Sequence, residues 1–114
     1  MTVLTEGKHA GEFLLSEGNG LISREVRTIA AGQNLAAGTV LGKITATDKY
    51  AAYNDGASDG TETAMEVLFD NVDASAADVE AVTIARNAEV NGDELTGLDA
   101  AATADLLAVN IIIR

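Results

Sequence analysis

The stretch Ser23–Thr45, SREVRTIAAGQNLAAGTVLGKIT, decides how the rest of the chain is read. Two short β-type runs, Val26–Ile29 and Thr39–Thr45, flank a segment built on Gly32, Gln33, Asn34 and Gly38. Glycine takes positive φ without a Cβ clash, and Asn tolerates that region better than most residues. Gly32, Gly38 and Gly42 are therefore expected to define a corner in which the chain reverses sharply and re-enters a strand. Leu35, inside this turn, is expected to plug the end of a small barrel. Two architectures use such a corner, a lipoyl- or biotinyl-like sandwich and a bent-ribbon β-clip, and the surrounding residues decide between them.

Working outward, 114 residues make one domain, large enough to bury roughly two thirds of its unfolded surface in a single core. With two Phe, two Tyr and no Trp, that core is packed from Val, Ile, Leu and Ala, which favours close strand packing over a large ligand pocket. The absence of cysteine excludes disulfides, thiolate metal sites and a cysteine nucleophile. A net charge of −11, from 18 acidic against 7 basic residues, repels phosphates, so nucleic acid is not expected as a partner. The most apolar stretch, Leu106–Ile113, is too short to span a bilayer, so no membrane partner is expected. Glu6, Lys8, His9 and Glu12 interrupt the basic-then-apolar order of a signal peptide, and an unprocessed soluble product is expected.

Residues 1–20, MTVLTEGKHAGEFLLSEGNG, differ from the rest, with four glycines, scattered charges and one apolar cluster, Phe13-Leu14-Leu15. They read either as a frayed end or as an arm that orders on a partner, with Gly18-Asn19-Gly20 as a hinge before a domain spanning 21–114. In the second case Phe13 and Leu15 share one face by the two-residue strand period. Deleting residues 2–17 is then expected to leave the domain folded.

Further along, Lys49–Tyr53 is a short run, and Asn54–Gly60 is a loop by turn chemistry. Ala64–Phe69 and Val79–Ala88 read as core strands, the second from its alternation and β-branched content. The one convincing helix is Ala100–Ala108, capped by Asp99, with five Ala in nine residues and Leu98, Ala102, Leu106 and Val109 on one face. Asn110 suits a left-handed cap, and Ile111–Ile113 reads as a terminal strand needing burial on both sides. No parallel βαβ alternation is evident. The expected fold is mainly β, a β-clip-like, small bent-ribbon barrel with one C-terminal helix and an extended N-terminal arm.

The residues give little to chemistry. His9 stands alone without a triad-like context, and no phosphate-binding glycine loop occurs, so no catalytic residue is expected. Asp55 and Asp59 straddle glycines but lack the spacing of a calcium loop, so neither a metal nor a cofactor is expected. Glu62 and Glu66 are one of the acid pairs that 18 carboxylates produce by chance. Lys43 lies within a strand rather than at a hairpin tip, where a carrier domain presents its modified lysine. Arg86 is read as one half of a structural ion pair.

Several segments together resemble a family. Ser23-Arg24-Glu25 with Thr28-Ile29, the corner Ala37–Lys43, the loop Asp55–Thr61 followed by Ala64 and Leu68, and the end Ile111–Arg114 occur in the order seen in head decoration proteins of tailed bacteriophages, the lambda-type capsid-stabilising protein D family. The resemblance covers roughly residues 18–114, and the chain departs from it in having no Pro and no Trp. It implies a β-clip, a homotrimer without enzymatic activity, and the major capsid protein as partner. It also implies a place on the outer surface of the expanded virion capsid, at three-fold and quasi-three-fold sites, resisting DNA pressure. The matching N-terminal arm is the part expected to contact the capsid. Val3, Leu4, Phe13, Leu14, Leu15 and Ile22 are its candidate binding residues. A small β-sandwich carrier or a carbohydrate-binding module, the latter needing Tyr50 and Tyr53 exposed, are the alternatives.

Overall fold

A computed structural model describes residues 10–18 and 22–114 of the chain. Five strands close a small barrel in the order β2-β5-β4-β6-β8, formed by Arg24–Ile29, Tyr50–Ala52, Val40–Lys43, Glu66–Leu68 and Val79–Ile84. Its longest seam is antiparallel, with β2 and β8 in register from Arg24 opposite Ile84 to Ile29 opposite Val79. A two-stranded ribbon joins β3 (Gln33–Leu35) to β7 (Val72–Ala74). A three-stranded sheet, ordered β1-β9-β10, unites Leu14–Glu17, Ala88–Val90 and Ile111–Ile113.

The barrel wall separates two apolar cores, because adjacent strand residues point to opposite faces. Ile29, Leu41, Tyr50 and Leu68 fill the inside with Val72 and Ala74, and Leu35 packs against them as expected. Val40, Val67 and Ile84 point outward into the second core, which holds Phe13, Val90, Ala102, Leu106 and Ile111. Strands β4 and β6 are thus buried on both faces over Val40–Gly42 and Glu66–Leu68, a charged Glu66 included.

Helix α1, Ala100–Ala108, covers that second core with Ala102 and Leu106. The Asp99 carboxylate accepts the Ala102 N–H at 2.7 Å and caps the helix start. Asn110, at φ 61°, ends the helix in the left-handed conformation. The expected face of Leu98, Ala102, Leu106 and Val109 is the packed one.

Four details differ from the sequence reading. Residues Gln33–Leu35, expected as turn, form a strand, because β7, distant in sequence, offers them a ladder from Gln33 opposite Ala74 to Leu35 opposite Val72. Val79–Ala88 is not one strand: Asn87, at φ 53°, breaks it, and Ala88 starts β9 in another sheet. β10 runs parallel to β9 with α1 between them, so one βαβ unit does occur. Finally, β10 is an edge strand in which Ile111 is fully buried while Ile112 and Ile113 are half-buried, not a strand covered on both sides.

Candidate interaction surface

The described N-terminal segment is tied to the domain before β1 begins. Gly11, at φ 67°, donates its N–H to the Phe69 carbonyl at 2.8 Å, and its carbonyl accepts the Leu14 N–H at 3.0 Å. This turn delivers Phe13 into the core, where the ring is 1% exposed, and the Phe13 carbonyl accepts the Asn91 N–H at 2.8 Å. β1 then pairs antiparallel with β9, with an irregularity between Leu14 and Ser16. Such a bulge breaks strict side-chain alternation. Phe13 and Leu15 therefore do not share a face: Phe13 is inside and Leu15 is 54% exposed.

The chain is held again on the far side of residues 19–21. The Ser23 hydroxyl accepts the Gly18 N–H at 2.7 Å and donates to the Asn87 carbonyl at 2.8 Å. Arg24 grips Glu17 through two hydrogen bonds of 3.0 and 2.7 Å and lies 4.2 Å from the centre of the Phe69 ring. That guanidinium holds the Glu17 carboxyl below its ordinary range. Arg86 bonds the Ile22 carbonyl at 2.6 Å and Glu25 at 2.7 Å, the latter lowering Glu25 likewise. Ile22 itself is 53% exposed. Across the same sheet, Arg114 on Glu89 at 2.8 Å lowers that carboxyl too. Among the described residues the result is a three-stranded sheet whose outer strands β1 and β10 have no second strand neighbour, pinned by ion pairs and fringed by two exposed apolar side chains, Leu15 and Ile22.

Comparison with known proteins bears on what meets such a surface. The family model described as Bacteriophage lambda head decoration protein D matches residues 3–111. The chain belongs to this family. A head decoration protein is a structural component of the phage head, so association with the capsid and a place in the virion follow from the match. The matched span takes in the N-terminal segment as well as the barrel. A search of curated proteins gives no significant match.

In this decoration protein the candidate capsid-binding residues separate. Val3 and Leu4 lie outside the described residues. Phe13 is consumed by the core, and Leu14 packs partly against it. Leu15 and Ile22 remain available. Within the expected arm of residues 1–20, Leu14–Glu17 is a strand paired with β9.

Among the three glycines, Gly32 and Gly38 have the positive φ of 93° and 89° that a corner needs. Gly42 is different. It lies inside β4, where a Cβ would stand 2.6 Å from the Thr61 Cα, so the absence of a side chain permits a close backbone approach rather than a turn.

The remaining polar candidates have local partners. Asp59 accepts the Thr61 N–H at 3.0 Å and its hydroxyl at 2.6 Å, which lowers its carboxyl. Among the described residues, no group of three or more acidic or histidine side chains is placed to hold a metal ion. His9 lies outside the described residues. Lys43, the last residue of β4, pairs with Asp48 at 3.4 Å. Tyr50 and Tyr53 are 4% and 8% exposed, so neither presents a face for stacking on sugar.

Sequence reasoning missed a polar cluster within the barrel. Glu66, 3% exposed, accepts the Arg27 Nε–H on both carboxylate oxygens at 3.0 and 3.2 Å, has Arg27 Nη2 2.9 Å from Oε2, and accepts the Thr83 hydroxyl at 2.5 Å. The Arg27 guanidinium lies 5.3 Å from the centre of the Tyr50 ring. The available signal was register: Arg27 shares the face of Ile29, and Glu66 the face of Leu68, both inward-pointing.

Proposed function

We propose that this head decoration protein binds as a homotrimer to the outer surface of the expanded capsid, at three-fold and quasi-three-fold sites, and reinforces the shell against the pressure of packaged DNA. The observation that carries this reading is the family match over residues 3–111. Two features support it. A net charge of −11 suits a protein kept apart from nucleic acid. The open outer strand β1, fringed by Leu15 and Ile22, suits capture of an extended segment of the major capsid protein by strand addition. Residues 1–9, with Val3 and Leu4, complete that contact, and three such contacts per trimer raise the overall affinity through effective concentration.

Co-sedimentation with empty capsids tests the proposal. The full chain is expected to pellet with expanded shells and not with unexpanded ones. Leu15→Asp with Ile22→Asp is expected to weaken binding at least about a hundredfold, given about 1.5–3 kcal/mol for each large apolar side chain buried. Deleting residues 2–9 is expected to abolish binding with the far-UV spectrum unchanged. Equal binding by all three proteins would place the contact on another face.

A further inference from the structure

We propose that the bare part of the barrel wall around Val26 and Val82 is the surface on which a second copy of this chain packs. The inference rests on the trimeric reading above and supplies its contact. The outer wall of the barrel is apolar along a continuous path. Val40, Val67 and Ile84 form one part of it, covered by the helix and the three-stranded sheet. Val67 stands opposite Ile84, and two residues before Ile84 on the same outward face comes Val82, directly opposite Val26 on β2. Here the cover stops. Val26 is 60% exposed and Val82 37%, beside a shallow hollow that they line with Arg24 and Glu25.

The kind of contact follows from topology. β2 and β8 pair with each other and with further strands on their other sides, closing the barrel. β2 meets β5 at Ile29 alone and β8 meets β6 at Thr83 and Ile84, but a strand added at an edge would lie beside Val26 and Val82 and not over the face from which they project. Only side-chain packing by another folded surface can cover the valines, which separates this face from the open-edged sheet that carries Leu15.

The occupant follows from charge. Copies of a chain carrying −11 repel one another, and their approach is least opposed where basic residues gather. Three of the chain's seven basic residues stand on or beside these two strands, each already neutralised: Arg24 on Glu17, Arg27 on Glu66 and Arg86 on Glu25. Glu80 adds the one unbalanced carboxylate in the two strands. A nearly neutral apolar patch on a strongly acidic molecule is suited to its own copies. Cross-strand pairs of β-branched residues also give such a patch a stiff, low-entropy surface.

Light scattering and sedimentation velocity on the free full-length chain test this, with Val26→Glu as the variant. The wild type is expected at the mass of three chains and Val26→Glu at one, with the same far-UV spectrum. Because the chain has no cysteine, Val26→Cys places a single thiol on the patch, and Ser58→Cys places one on the exposed 54–60 loop as comparator. A short bismaleimide is expected to join Val26→Cys copies at least about tenfold faster, since packing raises the local thiol concentration. Should Val26→Glu fail to fold, the cross-linking rates decide. A Val26→Glu protein that keeps the wild-type mass, or a Val26→Cys thiol that cross-links no faster than the comparator, overturns this surface and leaves the trimer standing. A wild type of single-chain mass at every concentration overturns the trimer itself, and this contact with it.

Discussion

Glu66 is the acid on which the inside of the barrel turns. Its carboxylate is enclosed, and Arg27 and Thr83 occupy it from two sides. Removing one member of such a group leaves the other without its partner in a place water reaches poorly. Glu66→Gln is therefore expected to lower stability by about 2–3 kcal/mol, read by urea unfolding. A change within about 0.5 kcal/mol, the range of an ordinary surface substitution, would show that Arg27 finds solvent instead. The two tyrosines report on burial by another route. Burial, then the hydrogen bond from the Tyr53 hydroxyl to Asp99, raises the Tyr53 phenol well above its ordinary 10.0, and burial also raises Tyr50. A raised acid holds its proton longer in the folded chain than in the unfolded one. The stability it contributes is complete below about pH 10 and is lost as pH climbs through the folded value. Tyrosinate absorbance is thus expected to appear only above pH 10 and together with loss of the native spectrum. Half-ionisation at pH 10 in a folded chain would contradict this.

At the scale of elements, the N-terminal strand joins two roles that composition suggests are separable. Phe13 belongs to the core, and β1 completes the sheet that β9 and β10 share. Deleting residues 2–17 therefore removes structure as well as any binding contact, against the expectation from composition. Phe13→Ala is expected to cost about 3–5 kcal/mol, as a large aromatic truncated in a packed core does, while removal of residues 2–9 leaves the unfolding midpoint nearly unchanged. Thermal melts of the two variants check this. Equal, small shifts would mean that Phe13 contributes little packing. Helix α1 depends on tertiary contact in the same way. Nine residues are too few for a stable isolated helix, even with five Ala, and Asp99 serves both the helix start and the Tyr53 hydroxyl.

For the whole molecule, charge sets the terms of association. A chain with 18 acidic and 7 basic residues carries a repulsion between copies that salt screens. Self-association is expected to strengthen as ionic strength rises from about 0.01 M to about 1 M, where the screening length falls from about 30 Å to about 3 Å. Sedimentation across that range checks it. Association that weakens with salt would mean that ion pairs between copies, not apolar packing, hold them.

Local chemistry made part of this protein legible in its sequence. The helix and its Asp99 cap, the left-handed Asn110, the positive-φ Gly32 and Gly38, and the strands β4 and β6 each follow from preferences that act within a few residues. The family motifs were legible for a related reason, since they concentrate at such turns and ends. Long-range pairing decided the rest. Gln33–Leu35 is a strand only because β7 lies beside it, and Glu66 is a buried ion-pair partner only because barrel closure brings Arg27 and Thr83 to it. Phe13 lies in the core because a bulge and the Gly11 turn direct it inward while Leu15 stays out. Val26 and Val82 alternate like any half-buried strand residues, and only the extent of the helix layer leaves them bare. Alternation tells which residues share a face of a strand. What covers that face depends on segments tens of residues away, which no local pattern contains.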